Sequence, residues 1–209
     1  MHLFPLFLKL RGRRCLVVGA GKISEGKIAG LLEAGAHVDV IAPSTTPQIE
    51  QWHRKRRIRL TKRPFRPSDL KHAFLVVAAT NSPKVHRAIY QEAQRRNVLC
   101  NIVDVPALCD FYYPAVVRRG QLQIAISTAG ASPSLARRLR KEMEKTFGPE
   151  YADWLKYLAR ERKKIFGKKI PSTKRLELLK RQASGKSLGH FLKRSMKPAR
   201  KKLRSRSLT

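Results

Sequence analysis

The chain is poor in acidic residues and in cysteine, and it has no long apolar run. Its 209 residues include 14 Asp and Glu against 46 Lys and Arg, with three cysteines. Because no run approaches the roughly 20 apolar residues that a bilayer requires, we expect no membrane span. The short apolar amino terminus lacks a charged leader and a small-residue cleavage site, so no secretory signal is expected and we predict a cytoplasmic protein.

The cysteines and histidines follow no metal or redox pattern. Cys15 and Cys100 fall in apolar, strand-like segments and the chain has no C-x-x-C pair, so we interpret both residues as small buried hydrophobes of a reducing compartment. The six histidines are scattered, without an i, i+4 pair. We therefore predict no dedicated metal site.

The charge of the chain is strongly one-sided. The formal net charge is +32, and roughly half of the excess lies in the last quarter of the sequence. Such a charge predicts attraction to polyanions, which include nucleic acids, acidic lipids and polycarboxylate substrates.

The segment RCLVVGAGKIS at 14–24 is an apolar strand followed by a glycine-rich turn and the start of a helix. Its pattern, G-x-G-x-x-S, is one substitution away from the dinucleotide fingerprint. Gly19 permits a tight turn, Gly21 allows backbone N–H groups to approach a pyrophosphate, and Ser24 is small enough for close packing of helix and strand. A pyrophosphate is expected at the amino terminus of the helix, where free N–H groups favour negative charge.

The pattern along the chain predicts an α/β fold followed by a hairpin and helices. Apolar strands covered on both faces alternate with helices up to residue 105, which is typical of a parallel sheet. The predicted strands span 14–18, 37–42, 59–62, 73–79 and 98–103, and the helices span 22–33, 46–55 and 83–96. Two β-rich runs, 111–117 and 121–126, are predicted to form an antiparallel hairpin around Arg118–Gly120. Helices over 133–147 and 150–166 follow, and the last dozen residues are predicted to be disordered.

Ligands of such a sheet bind beyond the carboxyl ends of its strands. Asp104 closes the fifth strand and is a candidate for moving a proton, although an aspartate before Pro106 also suits a turn cap. The second strand ends without a carboxylate for a ribose, because Asp39 lies mid-strand. Ser44 or backbone groups are the alternatives, and the spacing leaves NAD and NADP open. The loop Ser127–Pro133 suits either carboxylate binding or a plain capped helix start.

Several motifs occur together in one order, and the chain resembles the precorrin-2 dehydrogenase family, the amino-terminal module of siroheme synthase. The resemblance covers roughly residues 1–165. Its motifs are LFPLFLKL at 3–10, VVGAGKIS at 17–24 with Lys27 after it, LLEAGAHVDVIAP from 31, AATN at 78–81, NIVDVP at 101–106 and ISTAGASPSLARRLR from 126.

The resemblance implies three domains: an NAD-binding Rossmann domain (1–112), a small α+β dimerisation domain (113–148) and a helical domain with a basic tail (149–209). It implies oxidation of precorrin-2 to sirohydrochlorin with NAD⁺, a homodimer and, in some members, insertion of Fe²⁺ to give siroheme. By motif, Asp104 is assigned to catalysis, and Thr128 lies in the loop that borders the substrate cleft in the family. Arg138 flanks the proposed cleft and is a candidate for binding substrate carboxylates, although a solvated basic face is the favoured interpretation of any single arginine. The implied cofactor contacts are Gly19, Gly21, Lys22, Ile23, Pro43 and Ser44.

Two features depart from this resemblance. Gly26 replaces an arginine that is common in the family, and the residues beyond about 167 are more basic than the family explains.

The basic tail supports an alternative, a nucleic-acid-binding protein on a Rossmann-like scaffold. Against it, stacking aromatics are sparse among the tail cations and no nucleic-acid motif is present. A non-enzymatic NAD sensor is a further alternative.

Overall fold

The computed structural model describes residues 2–195. The chain forms two compact units, of which the first ends at Tyr113 and the second begins at Pro114. The predicted disorder of the last dozen residues falls outside the described residues. The separation of the hairpin and the helices into two domains stays a prediction.

The first unit is built on five parallel strands: β1 (Arg14–Val18), β2 (His37–Ile41), β3 (Arg59–Thr61), β4 (Leu75–Ala78) and β5 (Leu99–Ile102). Their order across the sheet is β3-β2-β1-β4-β5. The chain moves outward from β1 to β3, then crosses back to place β4 on the other side of β1. The edge between β1 and β4 is therefore the switch point where ligands bind in open α/β sheets.

Three helices and two 3₁₀ turns cover this sheet. Because successive strand residues point to opposite faces, β1 contributes Val17 to one core and Leu16 to the other. One core contains Ile28 and Ile49 from two helices, whereas the other contains Ile89 from the third. The elements are α1 (Lys22–Glu33), α2 (Pro47–Arg54), α3 (Pro83–Arg95) and 3₁₀ turns at Pro67–Leu70 and Pro106–Leu108. The α/β fold class is thereby confirmed.

Serine and proline begin two of the helices, as predicted. The Ser82 hydroxyl accepts a hydrogen bond from the Val85 N–H at 3.4 Å, and proline follows at the first helical position. Ser132 does the same for the Leu135 N–H at 3.2 Å. These caps satisfy backbone donors that the helix leaves without an internal partner.

The second unit contains an antiparallel pair of strands and four helices. The predicted turn at Arg118–Gly120 was wrong in its position, because the first strand extends through Arg119, which pairs with Leu122. Gly120 has φ +59°, a left-handed conformation that glycine adopts without steric cost, so the reversal occurs there. The elements are β6 (Ala115–Arg119), β7 (Leu122–Ile126), α4 (Pro133–Thr146), α5 (Glu150–Phe166), α6 (Ser172–Gln182) and α7 (Gly185–Ser195).

Arg119 connects the hairpin to the end of α4. Its Nε donates to the carbonyl oxygen of Phe147 at 2.7 Å, and its guanidinium also donates to the carbonyl of Glu144 at 3.1 Å. A cation at a helix carboxyl terminus satisfies free carbonyls and opposes the negative end of the helix dipole. The side chain of Arg119 thus connects the strand to the end of the helix.

Across residues 2–195, the structure contains no helix that combines the length and the apolarity needed to cross a membrane.

Gly19 lies so close to the backbone of Ala79 at the switch point that we expect Gly19→Ala to lower the free energy of unfolding strongly. Gly19 has φ +98°, and a Cβ atom there would overlap the carbonyl oxygen of Ala79 and lie 2.8 Å from its carbon. Gly12→Ala is the matched control, since Gly12 has φ +74° but open space around it. We expect Gly12→Ala to cost about 1 kcal/mol from backbone strain, and Gly19→Ala to cost about 1–3 kcal/mol more from overlap. Urea unfolding measures both, and equal losses would contradict the overlap.

Candidate dinucleotide site and the carboxylate beside it

The glycine turn after β1 is fixed by its neighbours on both sides. The Gly19 N–H donates to the Ile41 carbonyl of β2 at 2.9 Å, while the Ala79 N–H donates to the Val18 carbonyl at 2.8 Å. Only a residue without Cβ fits between them, as the overlap with Ala79 shows. The backbone of the turn is therefore held open at the switch point.

Gly21 leaves the start of α1 free for an anion. It is the amino-terminal cap residue of the helix, and no side chain accepts a hydrogen bond from the first turn. A Cβ atom at Gly21 would meet no atom within 4 Å, so the space above the helix terminus is open. Ser24, one turn further, is fully buried, so a larger side chain has no room there. These features fit the pyrophosphate of a dinucleotide.

Lys22 and Ile23 lie in the first turn of α1. Both are exposed, and the Lys22 ammonium pairs with the Glu25 carboxylate at 2.7 Å. The Lys22 hydrogen bond lowers the pKa of Glu25 below its usual value. Ile23 is 58% exposed, an unusual position for a large apolar side chain beside a glycine turn. Their contacts with a cofactor stay predictions.

Pro43 and Ser44 follow β2 and are exposed next to the glycine turn. The loop that carries them is held there, because the Thr46 N–H donates to the Ala20 carbonyl at 3.1 Å. The structure thus places all six predicted cofactor residues at one edge of the sheet.

Asp39 is engaged elsewhere and does not contribute its carboxylate to that edge of the sheet. Its carboxylate is 2.6 Å from Arg14 Nε and 4.0 Å from Arg59 Nε. It connects three neighbouring strands through charge, which explains its place in the middle of β2. Contact of a cofactor ribose with Ser44 or backbone groups stays a prediction.

Asp104 follows β5 in an exposed turn with φ +62°. Among the residues that the structure describes, no donor is hydrogen-bonded to its carboxylate, so the turn does not use this side chain as a cap. The loop after it is fixed by Asn101, whose side-chain amide donates to the Phe111 carbonyl at 2.8 Å. The Cys100 N–H likewise donates to the Asp110 carboxylate at 2.8 Å.

Strand register places Asp104 and the glycine turn on the same edge. Val18 of β1 pairs with Ala78 of β4, and Ala78 pairs with Ile102 of β5. The turn after β1 and the turn after β5 therefore leave the sheet at one level, two strands apart, which corresponds to about 10 Å. A ligand at this edge can reach both.

Lys27 is the residue that the sequence interpretation missed as part of the site. It is partly buried on α1, and its ammonium lies 3.5 Å from the ring centroid of Tyr113. Burial lowers the pKa of Lys27, an effect that the negative charge of Asp104 opposes. A signal was available, because Lys27 lies at helical spacing between Ile23 and Leu31 in a stripe that is otherwise apolar.

The cysteines of the first unit are thiols with a packing role. Cys15 and Cys100 are fully buried, which confirms their interpretation as small hydrophobes. Burial raises the pKa of Cys15 to about 11 and that of Cys100 to about 12. Within residues 2–195, no group of three or more His, Cys, Asp or Glu side chains is arranged to hold a metal ion.

Thr128 and Arg138 lie in the second unit. The Thr128 hydroxyl accepts from the Ser132 N–H at 3.1 Å, so this loop forms a capped helix start. Arg138 is exposed on α4, 3.5 Å from the Glu142 carboxylate. Their substrate contacts stay predictions.

The parallel sheet, its glycine turn and the open helix terminus define a dinucleotide-binding protein. Comparison with known proteins agrees with this class. The chain belongs to the family described as "Putative NAD(P)-binding", whose profile matches residues 6–115, more than half of the chain. A second profile, "Sirohaem biosynthesis protein central", matches residues 119–146. The resemblance expected from the motifs is confirmed.

The relatives include siroheme synthases of several bacteria. That of Nitrosococcus oceani is 39% identical over 165 residues, covering 79% of this chain and 35% of the relative. That of Methylobacillus flagellatus is 41% identical over 165 residues, with the same shares. The chain thus spans about a third of the length of these relatives.

One solved structure is similar over almost its whole length. It is described as "SirC, precorrin-2 dehydrogenase", with a TM-score of 0.78 and 29% sequence identity. The similarity covers 92% of this chain and 98% of that structure. The similar region therefore includes the parallel sheet of the first unit and the hairpin and helices of the second unit.

The open space at Gly21 predicts a binding defect without a folding defect. In Gly21→Ala, the added methyl group occupies the space that the pyrophosphate approaches, so we expect the Kd for NAD⁺ to rise at least about tenfold. The free energy of unfolding should fall by only about 1 kcal/mol, which is the usual cost of placing alanine at a helix cap. Calorimetric titration and urea unfolding measure the two quantities.

Gly26→Ala is the control on the same helix. Gly26 is also surrounded by open space, but it is exposed in the interior of α1. Alanine there should stabilise the helix by up to about 1 kcal/mol and leave NAD⁺ affinity unchanged. A Gly21→Ala protein that binds NAD⁺ as tightly as Gly26→Ala would exclude the glycine turn as the pyrophosphate site.

Proposed function

We propose that this chain oxidises precorrin-2 to sirohydrochlorin with NAD⁺. The observation that carries the proposal is the shared edge of the sheet, where an open dinucleotide site and the exposed carboxylate of Asp104 lie two strands apart. The similarity to a precorrin-2 dehydrogenase and to siroheme synthases supports the choice of substrate. It also favours this activity over nucleic-acid binding by a Rossmann-like scaffold.

The charge of the chain suits this substrate. Precorrin-2 is a reduced tetrapyrrole with many carboxylates, and the net charge of +32 attracts such a polyanion over long range. The attraction raises the rate of encounter and weakens as salt increases. Arg138 and Thr128 are proposed contacts for its carboxylates.

The proposed reaction removes a hydride and a proton from the macrocycle. When bound, the nicotinamide ring of NAD⁺ accepts the hydride. The glycine turn and the start of α1 hold the pyrophosphate, which sets the position of the cofactor at the sheet edge. Asp104 accepts the proton at its carboxylate and releases it to water, since its turn is exposed. The fixed Asn101–Phe111 contact keeps this turn in place.

Two further properties are proposed from the family resemblance. A homodimer agrees with the small β6–β7 sheet, because two isolated strands are marginally stable and their edges can pair further. Sedimentation at several protein concentrations measures whether the dimer forms.

Insertion of Fe²⁺ as a second substrate is tested by incubating the protein with sirohydrochlorin and Fe²⁺ without oxygen. Metallation no faster than the uncatalysed rate would reject that activity.

Replacing the carboxylate of Asp104 tests the proposed reaction directly. We expect Asp104→Asn to lower kcat for precorrin-2 oxidation by at least about 100-fold, since a proton acceptor contributes about that much. The Kd for NAD⁺ should stay within twofold, because Asp104 does not line the pyrophosphate site. An anaerobic absorbance assay with enzymatically made precorrin-2 and NAD⁺ measures the rate.

The control is Asp153→Asn on α5. The Asp153 side chain is 71% exposed and pairs with Lys156 on the surface, so its loss should change neither rate nor stability measurably. Equal rates for the Asp104 and Asp153 variants would reject the role of Asp104. A wild-type protein that binds NAD⁺ but does not oxidise precorrin-2 would reject the proposed function itself.

A further inference from the structure

His86 is a buried polar side chain that the chemistry described above does not use. It lies near the start of α3 and is only 8% exposed. A buried imidazole loses its hydrogen bonds to water, so its partner in the protein indicates what the side chain does. That partner is the carbonyl oxygen of Thr80, which lies 2.8 Å from the His86 Nε2.

The direction of this hydrogen bond follows from the acceptor. A carbonyl oxygen can only accept, so the Nε2 of His86 carries a proton and donates it. The Thr80 carbonyl belongs to the loop of residues 79–82, which follows β4. Within the described part of the chain, no backbone N–H donates to this carbonyl. The side chain of His86 therefore supplies the hydrogen bond that the loop backbone lacks.

Thr80 is held on two further sides. Its hydroxyl accepts a hydrogen bond from the Ser82 N–H at 3.5 Å. Its methyl group lies against the glycine turn, because a Cβ atom at Gly19 would be 3.2 Å from the Thr80 Cγ2. The 79–82 loop is thus connected to α3 through His86 and to the glycine turn through Thr80.

The 79–82 loop lies between the two parts of the proposed site. Since β4 is the strand between β1 and β5, the loop leaves the sheet between the glycine turn and the turn of Asp104. The proposed pyrophosphate position is the start of α1, and Pro43 and Ser44 lie on the β2 side of it. We therefore expect the nicotinamide half of a dinucleotide to extend to the other side, over the 79–82 loop.

We propose that His86 is a positioning residue for the cofactor: its hydrogen bond to the Thr80 carbonyl holds the 79–82 loop where the loop supports the nicotinamide half of NAD⁺. This inference rests on the proposed function, because the nicotinamide ring is the hydride acceptor. Hydride transfer requires the reacting carbon atoms at a set distance, so a small displacement of the ring lowers the rate steeply. His86 acts through Thr80 and touches neither cofactor nor substrate.

The first experiment observes bound NAD⁺ without turnover. Saturation-transfer NMR compares the nicotinamide and adenine protons of NAD⁺ in the presence of the wild type, His86→Leu and His86→Gln. Leucine removes the donor, whereas the amide N–H of glutamine reaches close to the position of Nε2. We expect the nicotinamide-to-adenine signal ratio to fall at least about twofold in His86→Leu. The ratio should remain near the wild-type value in His86→Gln.

His53→Leu is the matched control. The Nδ1 of His53 lies 3.4 Å from the carbonyl oxygen of Ile58, so this ring also connects a helix to a loop carbonyl. Ile58 precedes β3, however, and lies at the opposite edge of the parallel sheet. The signal ratio of His53→Leu should equal that of the wild type. An equal ratio in His86→Leu would overturn the proposal, and so would an equal loss in His86→Leu and His86→Gln.

The second experiment observes the wild-type protein, so its result does not depend on the stability of His86→Leu. ¹⁵N labelling makes the histidine rings visible to NMR, and the signals missing in His86→Gln and His53→Leu identify the two rings. We expect saturating NAD⁺ to shift the His86 signals and to leave the His53 signals in place. Unchanged His86 signals would overturn the proposal.

Turnover separates the positioning role from the proposed function. We expect His86→Leu to lower kcat for precorrin-2 oxidation at least about tenfold, with the Kd for NAD⁺ within about threefold, because the pyrophosphate contacts on α1 are unchanged. An undiminished kcat in His86→Leu would reject the role of His86. A wild type that gives both NMR results but does not oxidise precorrin-2 would reject the proposed function and leave the support of the nicotinamide by this loop intact.

Discussion

The approach of Gly19 to the backbone of Ala79 is the constraint on which the first unit depends. It brings the end of β1 against the end of β4 more closely than any side chain would allow. The hydrogen bond from Gly19 to Ile41 fixes the same turn against β2. Since α1 begins three residues later, at Lys22, this contact also sets where the helix starts. The position of the open helix terminus, and that of Lys27 one turn and a half along, both follow from it.

Much of this unit could be predicted from the order of residues alone. The continuous apolar strands and the Ser-Pro caps are local signals, so the elements appeared within one or two residues of their predicted ends. The glycine turn was equally predictable, because its backbone conformation is one that favours glycine. The family resemblance rested on several such motifs in order.

Contacts between distant segments were harder to predict. Nothing in the spacing of Asp39 shows that it pairs with Arg14 from β1 and Arg59 from β3, since that pairing depends on strand order. Likewise, Lys27 and Tyr113 are far apart in sequence and meet only when the segment after β5 returns towards α1. The hairpin turn was misplaced because Arg118 and Arg119 appeared to be loop residues, whereas Gly120 alone supplies the required backbone conformation.

The chain has few acidic residues, and many of them have a clear structural role. Many are held in ion pairs with the abundant cations: Arg63 binds Asp69 at 2.6 Å, and hydrogen bonds from Arg95 and Arg96 lower the pKa of Glu92 to about 2. Exposed pairs of this kind contribute little stability individually, but they leave few carboxylates unengaged. Asp104 differs because its carboxylate lies in an exposed turn and takes part in none of the ion pairs among the described residues.

The backbone of Asp104 carries a consequence of its own. With φ +62°, it occupies a conformation that glycine enters freely and that aspartate enters at some steric cost. Replacing Asp104 with glycine would therefore remove backbone strain, but it would also remove the carboxylate that the proposed chemistry needs. Selection for stability alone would therefore favour glycine at this position, and a more thermostable variant that keeps the proposed chemistry would have to retain the strained aspartate.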